Sequence, residues 1–196
     1  MTTASATRHR ITRADIMDPA DYARIRAEKR REIRPIKDGR RVAVGPYATF
    51  YFESWDTMWH QVHEMLHIER GGEEQIEDEL AAYNPLIPKG DELVATVMFE
   101  IDDPARRTAF LSRLGGVEET MALEIPGEGK VRGVAETDVD RTSAAGKASS
   151  VQFVHFPMTP AQAAAFAQPG QRVVLAIEHP AYSHMAVLPE AVRAEL

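Results

Sequence analysis

The sequence contains no cysteine. This absence excludes disulfide bonds, cysteine-type zinc sites and a cysteine nucleophile. It also excludes an iron–sulfur cluster held by the chain's own thiolates. Any iron–sulfur cluster that the function of this protein requires must therefore be bound by a partner protein. Any metal bound by this chain must therefore rely on histidine and carboxylate ligands.

Long apolar runs are absent as well. No stretch approaches the roughly 18–20 residues needed to span a bilayer, and residues 1–8 lack the apolar segment of a signal peptide. We therefore expect a cytoplasmic protein without a membrane partner. Phosphate-binding loops are missing too, because the glycine pairs at 71–72 and 115–116 follow predicted helices rather than open them.

What is present is an ordinary globular composition with an uneven charge distribution. The 196 residues carry a net charge of −7. Residues 1–41 hold 12 Lys and Arg against 6 Asp and Glu, whereas the remainder holds 11 against 24. A basic segment can bind nucleic acid, but here no aromatic residues are interleaved with the basic ones. We interpret it instead as a first helix that neutralises the acidic segment 64–79, and we do not expect nucleic acid as a partner.

Start and stop signals predict the first helices. Asp18-Pro19 begins a helix that Pro35 is expected to stop. Ser54 begins a second helix, which the glycine pair at 71–72 ends, and an acidic helix follows over 73–82. The residues 41–53 favour strands interrupted by a turn, which predicts a β-hairpin.

After residue 90 the pattern becomes strand-rich. Strands are expected over 93–101, 117–125, 130–137, 151–156, 172–178 and 185–188, with helices over 104–114, 159–168 and 189–195 and a mobile loop over 138–150. Many connections are too short for parallel crossovers. The prediction is therefore an α+β fold with a largely antiparallel sheet and helices packed on it. We expect a helical region with a hairpin over 1–88 and a sheet region over 89–196, together forming one compact unit.

The second helix carries the sharpest motif. His63-Glu64-Met65-Leu66-His67 is an H-E-x-x-H sequence, in which residues i and i+4 place two imidazoles side by side for one zinc ion. Glu64 is the candidate base for a metal-bound water, and His60 is a third candidate ligand one turn earlier. The helical period puts these polar residues opposite a stripe that is apolar except for Glu69. Its members are Trp55, Met58, Trp59, Val62, Met65, Leu66 and Glu69. The alternative is a plain solvated polar face.

Across nearly its full length the sequence resembles DUF3501, a bacterial family of unknown function. The residues that carry the resemblance are Ile11-Thr-Arg-Ala-Asp15, Tyr22-Ala-Arg-Ile-Arg26, Arg40-Arg-Val-Ala-Val-Gly-Pro46, Glu64-Met-Leu-His-Ile-Glu-Arg70, Glu77-Asp-Glu-Leu-Ala-Ala-Tyr-Asn-Pro-Leu-Ile-Pro88 and His179-Pro-Ala-Tyr182. Genes of this family often lie beside those of rubrerythrin-like and iron–sulfur oxidoreductase-like proteins. The resemblance therefore implies a cytoplasmic accessory to a redox or peroxide-handling system.

The resemblance also shifts attention within the second helix. The family pattern keeps Glu64 but usually has other residues at 63 and 67, which implies that H-E-x-x-H is a local feature of this chain. The family-shared candidates are then Glu64, Glu69, Arg70, Glu79, Tyr83, Asn84 and His179. Because Glu69 lies on the predicted apolar stripe, we expect it to need a cationic partner such as Arg41.

Three functional hypotheses follow, and the sequence alone leaves open whether the protein is an enzyme. The first is a redox-associated accessory protein that works with rubrerythrin-like and iron–sulfur partners and binds zinc or another divalent transition metal through His60, His63 and His67. The second is a zinc-dependent hydrolase with Glu64 as its base. The third is a nucleic-acid binder with a basic arm. A homo-oligomer is compatible with all three.

Overall fold

The computed structural model describes residues 8–136, 141–143 and 146–196. In this part of the chain there are six α-helices and nine β-strands, and every strand pair is antiparallel. The predicted α+β class is confirmed. Part of the predicted loop 138–150, and residues 1–7 on which the expectation of no signal peptide rests, lie outside the described residues. None of the described helices is long and apolar enough to cross a membrane.

The chain divides into two compact units. A helical unit comprises residues 1–39 and 53–90, and a sheet unit comprises residues 40–52 and 91–196. The predicted hairpin belongs to the sheet unit and not to the helical region in which it was expected. The reason is that the second hairpin strand pairs along its whole length with the strand that follows residue 91, a contact between distant parts of the sequence.

The helical unit consists of α1 (Pro19–Asp38), α2 (Trp55–Glu69) and α3 (Gly72–Tyr83). The expected caps are in place, because Asp18 accepts hydrogen bonds from the amides of Ala20 and Asp21, and Ser54 accepts one from Thr57. The prediction that Pro35 stops α1 is wrong. Pro35 falls in the last turn, where the lost N–H donor costs a single hydrogen bond, and the helix continues to Asp38.

A short N-terminal segment, residues 8–17, completes the helical unit. It contains one 3-10 turn, Arg13–Asp15, and the predicted capping residues hold it. Both the amide and the hydroxyl of Thr12 donate to the Asp15 carboxylate, at 2.8 and 2.7 Å. A second 3-10 turn, Asn84–Leu86, follows α3.

The sheet unit holds two antiparallel sheets. The strands are β1 (Arg41–Val44), β2 (Ala48–Phe52), β3 (Glu92–Phe99), β4 (Met121–Ile125), β5 (Gly129–Arg132), β6 (Val134–Ala135), β7 (Val151–Pro157), β8 (Val174–His179) and β9 (Tyr182–Val187). One sheet has the order β1-β2-β3-β7-β6 and the other β5-β4-β8-β9. Both sheets contribute buried side chains to one hydrophobic cluster. Three short helices accompany them: α4 (Pro104–Leu111), α5 (Pro160–Phe166) and α6 (Glu190–Glu195).

Candidate functional site

The polar face of α2 is not solvated, contrary to the alternative that the sequence left open. His60 is 8% exposed and His63 is 2% exposed. The aromatic ring of Tyr22 on α1 and the backbone amide of Met17 in the N-terminal segment lie against His63. The predicted apolar stripe is correspondingly shorter than expected. Met65 and Leu66 are half-buried and Glu69 is exposed.

Both ring nitrogens of His63 are already hydrogen-bonded within the helical unit. Nδ1 donates to the backbone oxygen of Trp59 at 2.7 Å, and Nε2 accepts from the amide of Met17 at 3.1 Å. Burial lowers the pKa of His63, so its neutral form matches this pattern of one donor and one acceptor. His63 thus ties α2 to the N-terminal segment, and a metal could reach it only by breaking one of these bonds.

Glu64 is the centre of an ion-pair network between α1 and α2. The guanidinium of Arg26 donates through Nε and Nη2 to the two carboxylate oxygens, both at 2.8 Å, and the hydroxyl of Tyr22 donates to Oε1 at 2.9 Å. These hydrogen bonds, above all those from Arg26, lower the pKa of Glu64 to about 2. A carboxylate with so low a pKa is a weak base near neutral pH, so the geometry gives Glu64 a structural role.

The three candidate metal ligands lie in different environments. His63 and the half-buried His67 line one cavity of about 630 Å³, although both ring nitrogens of His63 are hydrogen-bonded. His60 lines another cavity. Among the residues that the structure describes, no group of three or more His, Asp or Glu side chains could hold a metal ion. Metal binding through this helix therefore stays a prediction.

His60 differs from its neighbours because it has no hydrogen-bond partner. Both of its ring nitrogens are inaccessible to solvent and unbonded. Burial, followed by the nearby charge of Lys37, lowers the pKa of His60 to about 4, so the ring is neutral near pH 7. A buried polar group without a partner costs about 1–3 kcal/mol and calls for an explanation.

We predict that His60 makes the helical unit labile to acid. Because its pKa is about 4 in the folded state and about 6.5 in the unfolded chain, protonation of His60 favours the unfolded chain. Its titration leaves the free energy of unfolding unchanged above pH 6.5 and lowers it as the pH falls towards 4. The loss amounts to about 3 kcal/mol. Urea unfolding at several pH values, monitored by far-ultraviolet circular dichroism, should show this decline in the free energy of unfolding. His60→Phe should make the decline smaller, and the part that comes from the buried His63 should remain. An unchanged pH profile in that variant would contradict the assignment.

Two indoles of α2 hold the N-terminal segment in place. The Nε1 of Trp55 donates to the backbone oxygen of Arg10 at 3.1 Å, and that of Trp59 donates to the backbone oxygen of Asp15 at 2.9 Å. The guanidinium of Arg8 lies 4.6 Å from the centroid of the Trp55 ring, a cation–π contact. The side chains of α2 therefore organise a segment that has little regular structure of its own.

Asn84, a family-shared candidate, also binds the N-terminal segment through its side chain. Its Oδ1 accepts from the amide of Ile11 at 2.7 Å, and its Nδ2 donates to the backbone oxygen of Ile11 at 3.0 Å. The side-chain amide thus satisfies both backbone groups of a buried residue, as a neighbouring strand would do. Asn84 acts as a structural clamp.

We predict that Asn84→Asp destabilises the helical unit by about 1–3 kcal/mol. The substitution keeps the shape but replaces the Nδ2 donor with an oxygen that faces the carbonyl of Ile11. The midpoint of chemical unfolding and hydrogen exchange at the Ile11 amide would measure the effect. The matched control is Gln168→Glu, the same amide-to-carboxylate change at an exposed residue, for which we expect less than about 0.5 kcal/mol.

The remaining family-shared candidates of the helical unit lie around α3. Glu69 is exposed, so the expectation that it is buried and needs a partner such as Arg41 is wrong. The C-terminal end of α2 faces solvent, and the Glu69 carboxylate accepts a hydrogen bond from the Gln75 side chain. The same amide nitrogen of Gln75 donates to the buried Glu79 at 2.8 Å. Tyr83 is half-buried, which raises the pKa of its hydroxyl. These residues make local contacts.

Arg70 ends α2 in an unusual conformation. With φ of 56° it occupies the left-handed region, where glycine is the normal choice. The adjacent glycines had been expected to provide this C-cap. In the sheet unit, the candidate His179 stabilises a turn: its Nδ1 accepts from the amide of Ala181 at 3.1 Å, between β8 and β9.

Sequence reasoning missed the partners of Glu64. Tyr22 and Arg26 stand four residues apart on α1, which places them on one face of the helix, and both lie in a segment that carries the family resemblance. That spacing was the available signal. The interpretation of the basic segment as neutralising residues 64–79 agrees with the Arg26–Glu64 and Arg13–Glu73 ion pairs.

Two comparisons with known proteins found similarity to this chain. The model of the family described as "Protein of unknown function (DUF3501)" matches residues 10–196. The chain is also similar to a novel protein of unknown function from Burkholderia pseudomallei K96243, whose crystal structure was determined at 1.90 Å resolution. The two share 34% identity with a TM-score of 0.87, over 95% of this chain and 96% of the other. No curated protein matches the chain.

Proposed function

The chain belongs to the DUF3501 family, whose function is unknown, and from its geometry we propose that it acts by binding rather than by catalysis. The observation that carries the proposal is the environment of Glu64. Its two carboxylate oxygens are taken by the Arg26 guanidinium and the Tyr22 hydroxyl. The residue that would serve a hydrolase as a base is therefore used to join α1 to α2.

The histidines of the same motif support this proposal. His63 lines the same cavity as His67, but both of its ring nitrogens are hydrogen-bonded to the backbone of Trp59 and Met17. A zincin needs both imidazoles of the motif on one ion, with the glutamate free beside it. These contacts favour a stabilising role for the motif over zinc-dependent hydrolysis.

A binding protein without chemistry of its own fits the accessory role in a redox or peroxide-handling system that the family resemblance implies. In this proposal any iron–sulfur chemistry belongs to the partner, because this chain has no cysteine to hold a cluster. The proposal includes a cytoplasmic location shared with those partners.

The test combines a hydrolysis assay with a binding assay. We expect the purified protein to show no peptide hydrolysis on casein with added Zn²⁺, and Glu64→Gln to behave identically. Immobilised protein should retain a rubrerythrin-like protein of the kind often encoded beside genes of this family. Zinc-dependent hydrolysis that disappears in Glu64→Gln would overturn the non-catalytic proposal, and failure to retain the rubrerythrin-like protein would overturn the redox-accessory role.

A further inference from the structure

The cavity beside His60 lies wholly within the helical unit. It has a volume of about 350 Å³, near the lower end of the range for small-molecule sites. Ile33 and Ile36 of α1 form one apolar wall, and Trp55, Trp59 and His60 of α2 form the other. The volume and the mixed aromatic and aliphatic walls suit a small ring system.

His60 is the observation that points to a ligand. It is more than nine-tenths buried, it lines the cavity, and neither ring nitrogen has a partner. A neutral imidazole offers one N–H donor and one acceptor nitrogen. Buried polar groups are almost always hydrogen-bonded in native proteins. A molecule seated in the cavity would supply the missing partner if the His60 ring turned one of its nitrogens towards it.

The tryptophans define the shape of that molecule. Both indole N–H groups are occupied by backbone oxygens of the N-terminal segment, so the indoles offer the cavity their apolar carbon surfaces. The two rings lie nearly parallel, with an interplanar angle of 23°, and the Arg8 guanidinium extends over Trp55. Such surfaces pack best against another flat ring.

The charges around the cavity favour an uncharged ligand. Lys29 pairs with Glu32 at 2.8 Å, and the Asp15 carboxylate accepts from the amide and hydroxyl of Thr12. These charged side chains already have partners, so a charged ligand would have to compete with an existing contact, and the neutral His60 offers it no opposite charge to offset its desolvation.

We propose that this cavity binds an uncharged planar heteroaromatic molecule, whose hydrogen-bonding edge pairs with the His60 imidazole and whose ring packs against Trp55 and Trp59. The proposal rests on the proposed function, because it names the class of molecule that a binding protein of this kind takes. The Nδ1 and Nε2 atoms of His60 select a heterocycle over a plain hydrocarbon, and the aromatic wall selects a flat molecule over an aliphatic one.

The test uses the full chain and three uncharged heterocycles of different size: lumichrome, lumazine and theophylline. Naphthalene serves as a flat probe without polar atoms. Trp55 and Trp59 are the only tryptophans in the chain, so tryptophan fluorescence reports directly on the cavity, and titration calorimetry measures affinity. We expect at least one heterocycle to bind more tightly than naphthalene, and His60→Phe to weaken it by about tenfold, the effect of one lost hydrogen bond.

Two further variants keep the result interpretable. His67→Phe makes the same change in the same helix but lines the other cavity, so it should leave affinity unchanged. Ile36→Phe adds bulk to the cavity wall and should abolish binding. It tests the site independently of any change in local packing that His60→Phe causes. The site is overturned if no heterocycle binds, if naphthalene binds as tightly, or if His60→Phe binds like the wild type. Those outcomes leave the hydrolysis and partner assays unaffected, so the two proposals fail separately.

Discussion

Replacing Arg26 with methionine should destabilise the helical unit by about 2 kcal/mol near pH 7. The Glu64 side chain is only 13% exposed. In the variant it would keep its charge but lose the bidentate hydrogen bonds from Arg26, so that Tyr22 alone would donate to it. Breaking a fully buried ion pair costs about 3–5 kcal/mol, and we expect less here because the Arg26 side chain is 29% exposed. Chemical unfolding followed by circular dichroism measures the difference.

The pH dependence of the Arg26→Met effect follows from the same contacts. Because the folded-state pKa of Glu64 is lowered to about 2, mainly by Arg26, the pair's contribution to stability is present above about pH 4.5. It is lost as the pH falls from there towards 2. The difference between the wild type and Arg26→Met should therefore shrink in the same interval.

A double-mutant cycle isolates the Arg26–Glu64 interaction. Glu64→Gln keeps an acceptor for Tyr22 but removes the charge, so combining it with Arg26→Met should cost at least about 1 kcal/mol less than the sum of the single substitutions. Arg24→Met is the matched control on α1, because Arg24 is highly exposed and pairs with the exposed Asp21 one turn earlier. We expect about 0.5 kcal/mol or less for that control. Strict additivity in the cycle would contradict the structural role of Glu64.

Local signals predicted the helix starts well. Asp18 and Ser54 cap α1 and α2 as expected, because an N-cap depends on a few neighbouring residues. Pro35 was misinterpreted because a proline in a last turn costs little, and the sequence does not show how many residues follow it within the helix. The hairpin β1–β2 was predicted, but its pairing with β3 joins residues about 50 apart in sequence and leaves no local signal.

The candidate site was predicted less well, for a physical reason. The helical period placed His60, His63 and Glu64 on one face of α2 correctly, but it could not show that α1 and the N-terminal segment cover that face. A polar face covered by a neighbour must be satisfied internally. Glu64 and His63 have such hydrogen-bond partners, and His60 has none. Only the packed structure therefore distinguishes the residues that stabilise the fold from the one that we propose for ligand binding.

In the sheet unit, the Tyr182 hydroxyl makes three hydrogen bonds to one turn. It accepts from the amides of Tyr47 and Ala48, both at 3.0 Å, and donates to the backbone oxygen of Val44 at 2.7 Å. These groups belong to the β1–β2 connection. Gly45 lies in the same turn with φ of 70°, where a Cβ atom would come within 2.6 Å of the Tyr182 oxygen, so the turn is fitted closely around this hydroxyl.

We therefore expect Tyr182→Phe to lower the free energy of unfolding by about 2–4 kcal/mol. Removal of one oxygen leaves two amides and one carbonyl unpaired, and each unsatisfied buried group costs about 1–3 kcal/mol; some access of water to the half-buried Tyr47 limits the sum. Tyr51→Phe is the matched control in β2, because its hydroxyl donates to the carboxylate of the exposed Glu100, and we expect about 0.5–1 kcal/mol for it. Equal losses in the two variants would show that the turn does not depend on Tyr182. A larger loss in Tyr182→Phe, with faster hydrogen exchange at the Ala48 amide, would establish that this tyrosine holds the hairpin connection through its hydroxyl and not through the packing of its ring.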